Sequence, residues 1–111
     1  MAMLEAILGS LSIERVLLFI FSRDEGYARE IARFFETDLD PIQKQLDKLE
    51  AGGVLRSRSA GRTRLYSLNP RCPFMKELKP LLAKVMTFCP ADLKERLIMN
   101  RRRPRRRGKP L

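Results

Sequence analysis

No histidine and no tryptophan occur among the 111 residues, and only two cysteines, Cys72 and Cys89, are present. Without histidine, a zinc site of the usual four-ligand kind has too few soft ligands and no imidazole serves as a general base. Two thiols make no disulfide framework, and a straight helix between them would hold them about 25 Å apart, too far to share a metal within one chain. A glycine-rich phosphate loop is missing as well. Long apolar runs are also lacking. The longest, Val16 to Phe21, falls far short of the roughly 20 residues that span a bilayer, and the first residues carry no basic stretch of the secretory kind. These absences predict a cytoplasmic protein that is not an enzyme, has no membrane contact, and needs neither cofactor nor metal.

What is present is an ordinary hydrophobic fraction of 44 %, enough for one domain with a modest core, and a net charge of +10. The charge is unevenly placed. Residues 1–53 carry six basic and ten acidic side chains, residues 54–71 five basic and no acidic, residues 72–98 five and three, and residues 99–111 seven and none. The closing block, "MNRRRPRRRGKPL", repels itself and has little apolar surface to bury, so 99–111 is expected to be a basic disordered tail on a domain spanning 1–98. The other acid-free block, "VLRSRSAGRTRLYSLNP", sits inside sequence with folding signals.

Those signals come in a definite order. A short helix over Met3 to Leu8 precedes "IERVLLFIFS", a helix so densely apolar that it must be central, with Ser12 as its cap and Glu14 in its first turn. Tyr27 to Phe35 repeats apolar residues at helical spacing, at Ala28, Ile31, Ala32 and Phe35. After "ETDLD", Asp40 reads as an N-cap with Pro41 at the first helical position and Gln43 completing a capping box. That third helix buries Ile42, Leu46 and Leu49 and stops at Gly52-Gly53. "VLRSRSA" and "TRLYSL" then form a hairpin around Ala60-Gly61-Arg62, ended by Asn69-Pro70. Residues 73–88 read as a helix interrupted or kinked at Pro80, with an apolar stripe of Phe74, Leu78, Leu81, Leu82, Val85 and Phe88. Asp92 to Asn100 adds a last short helix. The fold class is mainly α with a small β-hairpin (α+β), in the order of a winged helix-turn-helix with additional N- and C-terminal helices.

Residues 8 to 68 resemble the ArsR-like winged helix-turn-helix of transcriptional regulators. "LDKLEAGGVL" followed by "GRTRLYSL" carries the most specific part of the likeness. The continuation "LNPRCPFMKELKPLLAKV" resembles the winged-helix modules often found before nucleotidyltransferase domains. The chain is expected to be a stand-alone module without such a catalytic domain. Gly9-Ser10 and Asp38 to Asp40, which superficially match pieces of a nucleotidyltransferase signature, fall on helix punctuation and are read as caps.

The resemblance implies sequence-specific binding of double-stranded DNA, with the helix over 40–51 in the major groove and the wing over 54–68 on the phosphate backbone. Opposite the buried Ile42 stands Lys44, with Asp40, Asp47 and Lys48 nearby and Gln43 and Gln45 on the flanks. Lysine suits guanine acceptors and glutamine the edge of adenine, so Lys44, Gln43 and Gln45 are the candidate base readers. Against this stand the carboxylates Asp38, Asp40 and Asp47, and the same face also reads as a solvated one held by an Asp40–Lys44 pair.

In the wing, Arg56, Arg58, Arg62 and Arg64 alternate along two strands, and hairpin geometry is expected to gather them with no acidic neighbour in between. A solvated edge that discourages strand aggregation is the other reading. Arg101, Arg102, Arg103, Arg105, Arg106, Arg107 and Lys109 would neutralise phosphates without fixed geometry, each adding about one unit to the logarithmic salt slope. The tail alternatively only keeps the chain soluble or binds RNA.

Apolar side chains in surplus at both ends, Met3, Leu4, Ile7 and Leu8 and then Leu81, Leu82, Val85 and Phe88, predict a homodimer, with packing inside one chain as the alternative. A two-fold dimer would set its recognition helices one DNA turn apart, roughly 34 Å. A second functional reading is a non-catalytic protein-interaction module that regulates a partner enzyme.

Overall fold

The computed structural model describes residues 4–98. Within them the order is α1 (Glu5–Leu8), α2 (Leu11–Arg23), α3 (Ala28–Phe34), α4 (Leu39–Ala51), β1 (Leu55–Ala60), β2 (Thr63–Leu68) and α5 (Met75–Thr87), followed by a sixth helix, α6, over 91–98. Met3 and the basic tail lie outside the described residues. An isolated antiparallel bridge between Gly26 and Tyr66 lends the hairpin a one-residue third strand. This is the α+β winged-helix arrangement expected from the order of the sequence signals.

The core is built around α2, which buries Ile13, Val16, Leu17, Leu18, Phe19 and Ile20. Its cap is Ser10, not Ser12. Gly9 closes α1 in the left-handed region at φ 79°, the chain extends at Ser10, and the Ser10 hydroxyl accepts from the Ile13 N–H at 3.2 Å. Glu14, although only 1 % exposed, has work to do there: its carboxylate accepts from the Leu4 N–H at 2.9 Å and so fastens the start of α1. The N-terminal apolar surplus is therefore divided, with Leu4 buried inside the chain and Ile7 exposed.

Asp38, rather than Asp40, stands at the N-cap of α4, extended at φ −67° and ψ 151° and without a side-chain cap bond. That places Pro41 at the third helical position, which costs nothing in hydrogen bonding because the first-turn N–H groups have no helical acceptor. Ile42 and Leu46 are fully buried under the helix, Leu49 partly, and the chain turns out through Gly53 at φ 80°. The hairpin turns in two residues, Gly61-Arg62, with Gly61 at φ 65°, and pairs in register from Leu55 with Leu68 to Ala60 with Thr63. Asn69 seals its base, donating from its backbone to Val54 O at 2.9 Å and from its side chain to Gly53 O at 3.0 Å.

Helix α5 runs through Pro80 without interruption, so of the two outcomes expected there, an interruption or a kink, the interruption does not occur. Its stripe also differs from the expected one. Leu82 and Val85 are buried, but the other core positions are Met75 and Met86, while Phe74, Leu81 and Phe88, seven residues apart, point outward. Arg23 ties α6 to this body. Its guanidinium lies over Phe19 at 4.4 Å and Phe34 at 4.8 Å and donates to the carbonyls of Arg96 and Leu97, both at 3.4 Å. A cation on the last carbonyls of a helix offsets their exposed partial charge.

Candidate nucleic-acid interface

A cleft of about 470 Å³ opens between the first turn of α3, the outer flank of α4 and the tip of the hairpin. Three arginines line it: Arg29 from α3, and Arg62 and Arg64 from the hairpin. Arg29 was not singled out by the sequence reading. Its signal was present, since Ile31 and Ala32 face the core and residue 29, two to three places before them, faces away.

Tyr66 forms the cleft's inner wall. It is 2 % exposed, with its backbone bridged to Gly26 by bonds of 3.0 and 2.8 Å. Burial pushes its phenol above the usual range, opposed by the Gln43 hydrogen bond. Gln43 donates to the Tyr66 hydroxyl at 3.3 Å and to Asp47 Oδ1 at 3.0 Å. The glutamine expected in a capping box is instead a strut between α4 and the wing, and reading adenine would require it to let go of both partners.

Gln45 does not turn outward either. Its amide oxygen is buried without a hydrogen-bond partner among the described residues. Lys44 and Lys48 are exposed on the outer face of α4, as are Asp38, Asp40 and Asp47. No Asp40–Lys44 ion pair forms. Of the expected base readers, then, Lys44 alone stands free toward solvent, and Gln43 is engaged and Gln45 turned inward.

The four wing arginines do not converge. A two-residue turn joining Ala60 to Thr63 makes every cross-strand pair sum to an odd number, so even-numbered residues on the two strands lie on opposite faces. Arg64 shares its face with Tyr66 and looks toward α4, while Arg56 and Arg58 lie on the other face. Nor are acidic neighbours missing. Arg58 Nη2 meets both oxygens of Glu25, at 2.9 and 3.3 Å. Arg64 Nη1 donates to the Ser57 hydroxyl at 2.8 Å, and that hydroxyl donates to Glu50 Oε2 at 2.6 Å. The exposed pair Arg58–Glu25 contributes little to stability, but it engages one of the four wing cations. Arg56 and Arg62 are exposed and make no ion pair among the described residues. Arg101, Arg102, Arg103, Arg105, Arg106 and Arg107 lie outside the described residues.

Cys72 and Cys89 are both buried free thiols. Burial pushes the Cys89 thiol up, and the Glu14 carboxylate adds to the effect. Among the described residues no group of three or more potential ligands comes together as a metal site, and no helix is long and apolar enough to cross a membrane.

No family model matches the chain, and no curated protein matches it in sequence. Among solved structures, a mutant of Lactococcus lactis ZitR in apo form is similar at 22 % identity and a TM-score of 0.53, over 69 % of this chain and 61 % of that one. A second structure of the same mutant is similar at 19 % identity and a TM-score of 0.50, over 76 % of this chain and 65 % of that one. The chain spans less than two thirds of the length of either. At this identity the likeness concerns architecture, and together with the helix order and the hairpin described above it makes the chain a winged-helix protein.

Proposed function

We propose that this chain is a transcriptional regulator that binds double-stranded DNA through α4, with Lys44 and Lys48 facing the major groove and the hairpin and the arginine-rich tail on the phosphates. The observation that carries the reading is the cleft beside α4, where Arg29, Arg62 and Arg64 come from two separate elements to one side of the same helix. Backbone contacts of this kind fix the register of a helix on a duplex, while the helix reads the bases. The exposed Phe74, Leu81 and Phe88 on α5 support a homodimer, which would present two such helices to an inverted repeat. The protein would act in the cytoplasm, without a cofactor and without catalysing a reaction.

The three exposed carboxylates on α4 favour a second reading, a protein-interaction module acting on a partner enzyme, because carboxylates repel phosphate. Fluorescence anisotropy separates the two. The full chain, a version ending at Met99, and Arg62→Glu combined with Arg64→Glu are titrated against random duplex DNA and a selected pool across a salt series. DNA binding by the folded part predicts that the shortened chain still selects sequences. It also predicts that the double reversal flattens the logarithmic salt slope by about two units, one per lost phosphate contact. A slope unchanged by the reversal, or binding abolished by removal of the tail alone, transfers the folded domain to the protein-interaction reading.

A further inference from the structure

At the base of the hairpin lies a second and larger concavity of about 660 Å³, lined by the end of α2, the hairpin, α5 and α6. Its size is that of a small-molecule site. The floor is apolar, made by Ile20 and Phe21 of α2, Leu68 of β2 and Met86 of α5, with Ile98 of α6 at the edge. Ile98 is 40 % exposed and extends the apolar surface to the edge of the groove.

The rim is cationic. Arg56, Lys79 and Lys94 come from three different elements to this groove, and none of them forms an ion pair among the described residues. Asp24 is the sole carboxylate among the lining residues. Ser67, paired across from Arg56, adds a hydroxyl on the same face of the hairpin.

We propose that this groove binds a small amphipathic carboxylate, with its alkyl or aryl body on the floor and its charged head among Arg56, Lys79 and Lys94. An inorganic anion would leave the apolar floor uncovered, and a neutral hydrocarbon would leave the positive excess of the lining, three cations against the one carboxylate of Asp24, without further counter-charge. Only a molecule with both parts satisfies both observations. Binding here is independent of the DNA reading, because the groove shares no lining residue with the cleft beside α4. Its occupant would nonetheless touch the hairpin at Arg56, Ser67 and Leu68, and α5 at Lys79 and Met86, so it joins the wing to the helix that carries the outward phenylalanines.

The test uses the full chain without DNA. 1-Anilinonaphthalene-8-sulfonate serves as the fluorescent probe, and octanoate and 1-octanol as competitors of equal length. The proposal expects octanoate to displace the probe at a concentration about tenfold lower than octanol, and Lys79→Glu with Lys94→Glu to remove about tenfold of octanoate affinity, as the loss of one exposed and one part-exposed charge contact would. Ala83→Phe, which fills the groove with an uncharged side chain, should weaken octanoate and octanol alike. In case a variant is misfolded, amide chemical shifts of the unaltered chain give an independent reading. Octanoate should shift Phe21, Ser67, Met86 and Ile98 and leave Gln43 and Arg62 in place. Equal displacement by octanol and octanoate, no octanoate binding, or shifts centred on the α4 cleft would each overturn the proposal.

Discussion

Gly26→Ala should weaken the fold more than any ordinary surface substitution, and the amount follows from two distances. A Cβ at residue 26 would stand 2.7 Å from Phe19 Cε1, closer than such atoms approach, and 3.0 Å from Cδ1, tighter than most contacts of its kind. The Phe19 ring has little room to withdraw. It is fully buried, packed edge-on against Phe34 at 5.4 Å between centroids, and covered by the Arg23 guanidinium. The backbone must yield instead, and it is held by the paired bonds between Gly26 and Tyr66.

Overpacking of this kind costs about 1–3 kcal/mol. Reduced freedom of the unfolded chain returns about 0.4–1 kcal/mol. A net loss of about 1–2 kcal/mol lowers the Tm of a domain this size by about 5–15 °C. Thermal unfolding followed by circular dichroism measures it, in the original background and in Phe19→Leu, which deletes Cε1. If the clash is the cause, the alanine should cost at least about 1 kcal/mol less in the leucine background. A neutral Gly26→Ala, or an equal cost in both backgrounds, refutes the reasoning.

Three further outcomes are expected. Glu25→Gln releases Arg58, so it should leave stability within about 0.5 kcal/mol while tightening DNA binding and steepening its salt dependence by up to about one unit; unchanged or weaker binding would show that Arg58 faces no phosphate. Burial raises the Glu30 carboxyl above its ordinary 4.5, against the pull of the Tyr27 N–H and Arg23, so the folded state holds this proton more tightly than the unfolded one. The associated stability is present below 4.5 and lost as pH rises through the folded value. Glu30→Gln should therefore gain on the original chain as pH climbs through that window in urea unfolding, and a constant difference between the two would count against it. Finally, Leu81→Glu with Phe88→Glu should convert a dimer to a monomer by light scattering, with no loss of helix by circular dichroism because both side chains face outward; a dimer that survives the change is built on another surface.

Much of the architecture was legible because periodicity and punctuation agree along the chain. The burial of Ile42 and Leu46, the presence of a hairpin around Gly61 and the end of α4 at the glycine pair all follow from local rules, whereas the hairpin's turn is one residue shorter than the expected Ala60-Gly61-Arg62. The cap positions did not. Ser10 and Ser12 are chemically equal candidates, and the choice is made by Gly9, whose left-handed turn sets Ser10 in the extended conformation a cap requires. Asp38 and Asp40 are likewise equal in kind, and Pro41 fits either start because three successive first-turn positions all lack a helical acceptor.

The separation of the wing arginines, by contrast, could have been read from the turn length alone, since a two-residue loop sends residues of equal parity to opposite faces. The engagement of Arg58 by Glu25 could not, for it joins residues 33 apart and depends on how the α2–α3 loop docks beside the hairpin. The inward turn of Gln45 is a matter of packing that helical spacing leaves open at a flank.

The line from Arg64 through the Ser57 hydroxyl to Glu50 ties the strand beside the cleft to the end of α4. Gln43 makes a second tie, about two turns earlier on the same helix, to Tyr66. With two struts on separate turns of one helix, the hairpin and α4 behave as one rigid caliper with a set opening. The entropy of aligning them is then lost when the chain folds and not when a ligand arrives. On the proposed reading as a duplex DNA binder, a duplex whose groove does not match the opening must itself bend or widen, so discrimination would rest partly on which sequences deform easily.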